Sequence, residues 1–112
     1  MRSAALVPLA VALLALLAPA GCGGDSGDDE RSLAIAAAGD AYDQARASGA
    51  DLERGPCIAE QLEGLEDWVA DIAHDPRRPV DDQPANQCSR FRSGEASHFV
   101  ELDRSGELIR AQ

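Results

Sequence analysis

The first 30 residues contain two segments with opposite patterns of hydrophobic and polar side chains. An uncharged apolar stretch runs from Ala4 to Ala20, and a Gly-, Ser- and acid-rich stretch follows at residues 23–30. The apolar stretch comes after a single charge, Arg2, which is the layout of a secretory signal peptide. The second stretch has the composition of a flexible, solvated linker. The chain is therefore predicted to comprise a signal peptide, a short acidic tether and one domain, at residues 1–21, 22–30 and 31–112.

The first element of the predicted domain is a helix at residues 31–48. This segment is rich in good helix formers, and Leu33, Ala37 and Ala41 form a narrow apolar stripe at helical spacing. Ser48, followed by glycine, ends the segment. A stripe made mostly of alanine suits close packing against a sheet.

Residues 57–74 fit two different patterns. Their larger apolar side chains fall at helical spacing, which allows an amphipathic helix. Trp68, Ala70 and Ile72 alternate with other residues, which indicates a strand with these three on one face. We favour the strand and keep the helix as the alternative. The favoured elements are a short element at 57–62, a turn near 63–64 and a strand at 66–74.

The last third of the domain predicts a loop and a hairpin. Three prolines between residues 75 and 84 exclude a helix or a central strand there. Residues 97–102 and 107–110 have strand character, and the turn between them contains Gly106. The whole domain is therefore predicted to be α+β, with one N-terminal helix packed on a small antiparallel sheet of three to four strands.

The end of the apolar stretch, Leu16-Leu17-Ala18-Pro19-Ala20-Gly21-Cys22, resembles the lipobox of bacterial lipoproteins. Ala20, Gly21 and Cys22 match that motif, while Pro19 occupies its aliphatic position. The resemblance implies cleavage before Cys22 and attachment of acyl chains such as palmitate. Two or more acyl chains would hold the protein stably on the extracytoplasmic face of the cell membrane. Cleavage after Ala20, giving a secreted protein, and an uncleaved anchor are the alternatives.

The chain contains three cysteines, and an odd cysteine in an exported protein needs an explanation. Lipidation of Cys22 would explain the odd cysteine. It would leave Cys57 and Cys88 to form a disulfide in an oxidising compartment. A disulfide would suit this domain, because about 80 residues bury only a thin core. A metal held by the two free thiols is the alternative, but they lack the close spacing of metal-binding cysteine pairs.

Four parts of the domain carry a further resemblance: Gly55-Pro56-Cys57, residues 68–77, Asn86-Gln87-Cys88 and residues 98–103. Together they resemble small uncharacterised exported proteins of GC-rich bacteria. This resemblance implies export and the disulfide, and it implies no activity.

The charge of the chain limits its partners. It has 20 acidic and 10 basic residues, a net charge of −10 and no lysine. This balance argues against binding to nucleic acid and against docking on anionic lipid through a basic patch. We expect contact with the membrane through the lipid anchor, an envelope protein as partner, and no cofactor.

Acidic and histidine side chains in the second half of the domain are candidate ligands for zinc or a similar ion. A strand at 66–74 would direct Asp71 and His74 to opposite faces and so divide such a site. The serines lack the sequence context of a nucleophile elbow. The sequence therefore favours a lipid-anchored binding or accessory module of the cell envelope without catalysis. The alternative is a small metal-binding or hydrolytic domain that uses Asp71, His74, Asp75, Asp81, Asp82 and His98.

Overall fold

In the computed structural model, which describes residues 26–112, a long helix packs on one face of a four-stranded sheet. The α+β class is confirmed. Short 3₁₀ turns connect several of the elements. The helices are α1 (Ser26–Ala47) and α2 (Ser89–Arg92), and the strands are β1 (Cys57–Ala59), β2 (Trp68–Ile72), β3 (His98–Leu102) and β4 (Leu108–Ala111).

The sheet is mixed, whereas the sequence predicted antiparallel pairing throughout. The strand order is β1-β2-β3-β4, and only the central pair, β2 and β3, is parallel. A parallel pair needs a long crossover connection, and residues 73–97 supply it by returning the chain to the start of β3. Within that connection, the proline-containing loop forms 3₁₀ turns at Pro79–Asp82 and Pro84–Asn86.

The main core lies between α1 and the sheet. Ala34 and Ala38 are fully buried there, whereas Leu33 is 62% exposed, so the buried stripe is displaced by one residue from the predicted one. Small side chains let the helix approach the sheet closely, and the larger Leu33 remains outside. The sheet contributes Trp68, Ala70, Ile72, Val100 and Leu102 to this core.

Helix α1 is already formed at Ser26, the first described residue and five residues before the predicted start of the domain at residue 31. Acidic residues in its first turn favour the helix because they complement the positive end of its dipole. Glu30 also joins the helix to the sheet, since its Oε1 accepts a hydrogen bond of 2.6 Å from Trp68 Nε1. The predicted signal peptide and Cys22 lie outside the described residues. Within residues 26–112, no helix combines the length and the apolar character required to cross a membrane.

The predicted local elements of the second half are confirmed. Segment 57–74 contains strands β1 and β2, joined through turns around Gly64, and no long helix. The C-terminal hairpin is formed by β3 and β4. The Cys57–Cys88 disulfide is present, with a Cα–Cα distance of 4.9 Å, and it connects β1 to the residue that precedes α2.

Candidate binding cleft

The sheet face opposite α1 carries a smaller apolar cluster and a cleft of about 340 Å³, named here the open-face cleft. Helix α2 and the proline-containing loop border it. Its lining combines an apolar floor with several charged groups: Val69, Asp71, Arg77, Gln87, Cys88, Phe91, Arg92, Phe99, Glu101 and Arg110.

The parallel pairing of β2 and β3 builds the floor of the cleft. In this register Val69 lies opposite Phe99, and Asp71 lies opposite Glu101. Alternate side chains of a strand point to the same face, so these four share the face away from α1. Two carboxyl groups therefore lie side by side at one end of an apolar floor.

Glu101 is 5% exposed and is held by two guanidinium groups. Its Oε2 accepts a hydrogen bond of 2.9 Å from Arg77 Nη1, and its Oε1 lies 3.4 Å from Arg110 Nε. Arg77 also donates to Asp82 Oδ1 at 2.8 Å. These contacts fix the cationic side chains at the edge of the cleft.

Asp71 differs from its neighbour, because its Oδ1 is buried without a hydrogen-bond partner among the described residues. Burial, aided by the negative charge of Glu101, raises the pKa of Asp71 from 3.8 to about 7. A buried acceptor without a donor costs free energy, and such atoms in native proteins call for an explanation. Asp71 is therefore a buried acidic group in the cleft lining with an unused capacity for hydrogen bonding.

Aromatic and cationic side chains form the wall of the cleft. Phe91 packs edge-on against Phe99, with ring centroids 5.1 Å apart, and is itself 41% exposed. The Arg110 guanidinium lies 5.3 Å from the Phe99 ring centroid. Arg92 has no ion-pair partner within the described part of the chain. The wall thus offers an exposed ring and an uncompensated positive charge.

Glu60 holds α2 in place beside the sheet. Its two carboxylate oxygens accept hydrogen bonds from the backbone amides of Ser89 and Arg90, at 2.8 and 3.0 Å. Since these amides begin the short helix, the contact fixes the direction from which Phe91 and Arg92 reach the cleft. The same hydrogen bonds lower the pKa of Glu60, against the effect of burial, which raises it.

Of the residues predicted as metal ligands, His74 and Asp81 form a buried pair. Their side chains are 4% and 1% exposed, and His74 Nδ1 lies 2.9 Å from Asp81 Oδ1. Asp81 Oδ2 also accepts hydrogen bonds from the backbone amides of His74 and Arg78, at 3.1 and 2.8 Å. The pair therefore fastens the proline-containing loop to the end of β2.

The remaining predicted ligands lie apart from that pair. His98 pairs with Trp68, and the two rings stack with centroids 4.7 Å apart. His74 comes six residues after Trp68, roughly 20 Å along an extended strand, so the two histidines lie at opposite ends of β2. Asp71 faces the cleft, Asp75 is exposed, and Asp82 binds Arg77. In the described structure the six candidate ligands of the alternative metal-binding hypothesis therefore do not converge on one site.

Within residues 26–112, the only close group of three metal-ligating residue types is Cys57, Glu60 and Cys88. Both sulfur atoms belong to the disulfide, so neither is the thiolate that zinc prefers. Glu60 is already occupied by the amides of α2. The disulfide and the hydrogen bonds to α2 therefore explain why these three residues lie close together, without a metal ion.

The raised pKa of Asp71 predicts a specific dependence of stability on pH. Folding raises this pKa, so the folded state holds the proton more tightly, and that stabilisation is lost as pH rises from about 4 through 7. Asp71→Asn removes the titration. Relative to the unchanged chain, its free energy of unfolding should increase by about 2–3 kcal/mol between pH 5 and pH 8, measured by urea denaturation.

Asp103→Asn is the matched control for this measurement. A hydrogen bond from the Ser105 hydroxyl lowers the pKa of Asp103, so this carboxyl does not titrate above pH 5 in either state. The difference in free energy of unfolding between Asp103→Asn and the unchanged chain should be constant between pH 5 and pH 8. If this difference is also constant for Asp71→Asn, the described environment of Asp71 is contradicted.

Only part of the cleft could be predicted from the sequence. Strand alternation in 97–102 places Phe99 and Glu101 on one face, but nothing in the sequence placed Asp71 beside Glu101 or Arg77 above it. Comparisons of the chain with protein-family models, curated proteins and solved structures find no match. The residues of the cleft and the sequence of the leader are therefore the features that bear on function.

Proposed function

We propose that this protein is a lipid-anchored extracytoplasmic binding module of the cell envelope, and that the open-face cleft is its ligand site. One observation carries the second half of the proposal. The lining of the cleft combines Asp71, whose Oδ1 is buried without a hydrogen-bond partner among the described residues, with the exposed aromatic ring of Phe91. A concave apolar surface with a few convergent polar groups is the usual form of a small-molecule site.

The lining of the cleft favours binding over catalysis. None of the described residues that line it carries a hydroxyl, imidazole or free thiol group. Glu101 is committed to its contacts with Arg77 and Arg110. The described lining therefore lacks the hydroxyl and thiol nucleophiles of Ser-, Thr- and Cys-dependent catalysis.

The anchoring half of the proposal rests on the leader sequence. If Cys22 carries the lipid, only residues 23–25 separate it from the start of α1. Four backbone steps reach at most about 14 Å, so the domain would stay close to the membrane surface. A module so placed would capture its ligand at the membrane surface.

Intact mass spectrometry tests the anchor. The full chain is expressed in a bacterium that processes lipoproteins, alongside Cys22→Ala. The mature protein should begin at Cys22, carry the mass of its acyl chains and partition into detergent, whereas Cys22→Ala should carry no lipid. A mature protein that begins at Gly21 would overturn the anchor.

A fluorinated fragment screen by ¹⁹F NMR tests the ligand site. The full chain in detergent is compared with Phe91→Ala and with Leu33→Ala, which removes another exposed apolar side chain, on α1. Fragments should bind the unchanged chain and Leu33→Ala alike, and about tenfold more weakly to Phe91→Ala. If no fragment depends on Phe91, the cleft is not the ligand site.

A further inference from the structure

The lining of the open-face cleft reverses the charge balance of the chain. Acidic residues outnumber basic ones two to one overall, 20 to 10. The cleft instead has three arginines, Arg77, Arg92 and Arg110, against Asp71 and Glu101. With both carboxyl groups ionised, the lining has a net charge of +1, and Asp82, which binds Arg77 from outside the lining, offsets that charge. Arg92, the cation in the lining that no described residue compensates with an ion pair, favours an anionic ligand.

The size of this charge limits the kind of anion. Glu101 is ion-paired to Arg77 and Arg110, which leaves Arg92 as the cation without a partner among the described residues. One guanidinium matches one carboxylate in charge and in its planar, two-pronged geometry. A phosphate dianion would bring a second negative charge towards Asp71 and Glu101. The balance therefore favours a monocarboxylate.

Asp71 adds a second requirement. Its carboxyl group lines the cleft and makes no ion pair among the described residues, and its Oδ1 is buried without a hydrogen-bond partner. A ligand that carries an N–H or O–H group would donate a hydrogen bond to the side of this carboxyl group that lines the cleft. A ligand without a donor would desolvate the carboxyl group without a compensating hydrogen bond, and sites discriminate strongly on this ground.

The remainder of the cleft is apolar and small. Val69, Phe91 and Phe99 supply most of its hydrophobic surface. A volume of about 340 Å³ is at the lower end of the range for small-molecule sites. The space suits a compact apolar or aromatic body and excludes a long chain.

We infer that the open-face cleft binds a small organic monocarboxylate with an apolar body and an N–H or O–H donor, the chemistry of an N-acylated apolar amino acid. This inference rests on the proposed function. In the bound state the carboxylate pairs with Arg92, the donor faces Asp71, and the apolar body packs against Phe91 and Phe99.

Four related probes test the inference by isothermal titration of the full chain in detergent. N-acetyl-L-phenylalanine has the carboxylate, the N–H donor and the ring. Its methyl ester lacks the charge, 3-phenylpropionate lacks the donor, and phenethylamine has the opposite charge. We expect N-acetyl-L-phenylalanine to bind most tightly. The ester and 3-phenylpropionate should each bind at least fivefold more weakly, and phenethylamine should bind more weakly still.

Two variants assign these preferences to residues. Arg92→Gln should weaken N-acetyl-L-phenylalanine about tenfold and leave its ester unchanged. The control Arg54→Gln, which removes an exposed arginine outside the cleft, should change neither. Asp71→Leu should abolish the preference for N-acetyl-L-phenylalanine over 3-phenylpropionate. Retained binding of 3-phenylpropionate would show that this variant is folded.

The outcomes separate this inference from the proposed function. If Phe91-dependent fragments bind but phenethylamine binds more tightly than the carboxylates, the inference is wrong and the cleft remains a ligand site. Equal binding of the ester and the acid would also overturn it. If no fragment depends on Phe91, the proposed function fails first. If the unchanged chain prefers N-acetyl-L-phenylalanine over its methyl ester and Arg92→Gln does not, both the inference and the proposed function are supported.

Discussion

Removal of the Cys57–Cys88 disulfide is expected to lower the free energy of unfolding by about 3.5–4 kcal/mol. The two cysteines are separated by 31 positions in the sequence, and a closed loop of this length restricts the unfolded chain by that amount in the chain-entropy model. The variant is Cys57→Ala combined with Cys88→Ala. Most domains are stable by only 5–15 kcal/mol, so a large part of the stability of this one should be lost.

Urea denaturation of the full chain measures this loss. Cys22→Ala is the control for removing a cysteine outside the domain, and its unfolding should match that of the unchanged chain. The bond also connects β1 to the start of α2, which carries Phe91 and Arg92 into the cleft. Binding in the cleft should therefore weaken along with stability. A loss below about 1 kcal/mol would contradict the role given to the disulfide.

Replacement of Asp81 by alanine is expected to destabilise the protein by about 3–5 kcal/mol. The substitution leaves His74 buried without its partner and removes the acceptor of two backbone amides, those of His74 and Arg78. Removal of one partner from a buried, hydrogen-bonded pair lowers the free energy of unfolding by an amount of this size. Gly55 shows how closely the pair is packed, since a Cβ at that position would clash with Asp81 Oδ1.

The neighbouring Asp82→Ala is a matched control, because Asp82 is exposed and makes one ion pair, with Arg77. It should change the free energy of unfolding by less than about 1 kcal/mol. The measurement is urea denaturation at pH 7. If Asp81→Ala and Asp82→Ala lose the same stability, Asp81 does not fasten the loop. Burial raises the pKa of Asp81, but its hydrogen bonds outweigh this effect and lower the pKa below its ordinary value. The contribution of Asp81 to the free energy of unfolding should therefore be lost in strong acid, as the pH falls through this lowered pKa.

The local elements could be predicted because their signals lie within a few residues. The strand character of 97–102 and 107–110 and the intervening Gly106 predicted the hairpin, and helix-forming residues predicted most of α1. Gly106 has a φ of +87° and approaches the ring of Tyr42, so the turn is also fitted to the helix. The buried stripe of α1 was predicted one residue too early. Leu33 was assigned to the core because it is large and apolar, but the neighbouring Ala34 occupies that position.

The cleft could not be predicted because it depends on pairing between distant segments. The parallel register of β2 and β3 places Asp71 beside Glu101, and no local pattern reports that register. The separation of Asp71 from His74, by contrast, could be predicted from strand alternation in 66–74. In the structure Asp71 lines the cleft, whereas His74 pairs with Asp81.

A map of backbone amide shifts shows directly whether the open-face cleft is the ligand site of this protein. ¹H–¹⁵N spectra of the full chain are recorded during titration with the fragment from the ¹⁹F screen that depends most strongly on Phe91. We expect saturable shifts at Val69, Arg92, Phe99 and Glu101, and little change at Ala34 and Ala38 on the opposite face. Shifts confined to α1 or to residues outside the cleft, or an absence of saturable shifts, would overturn the assignment of the cleft as the ligand site.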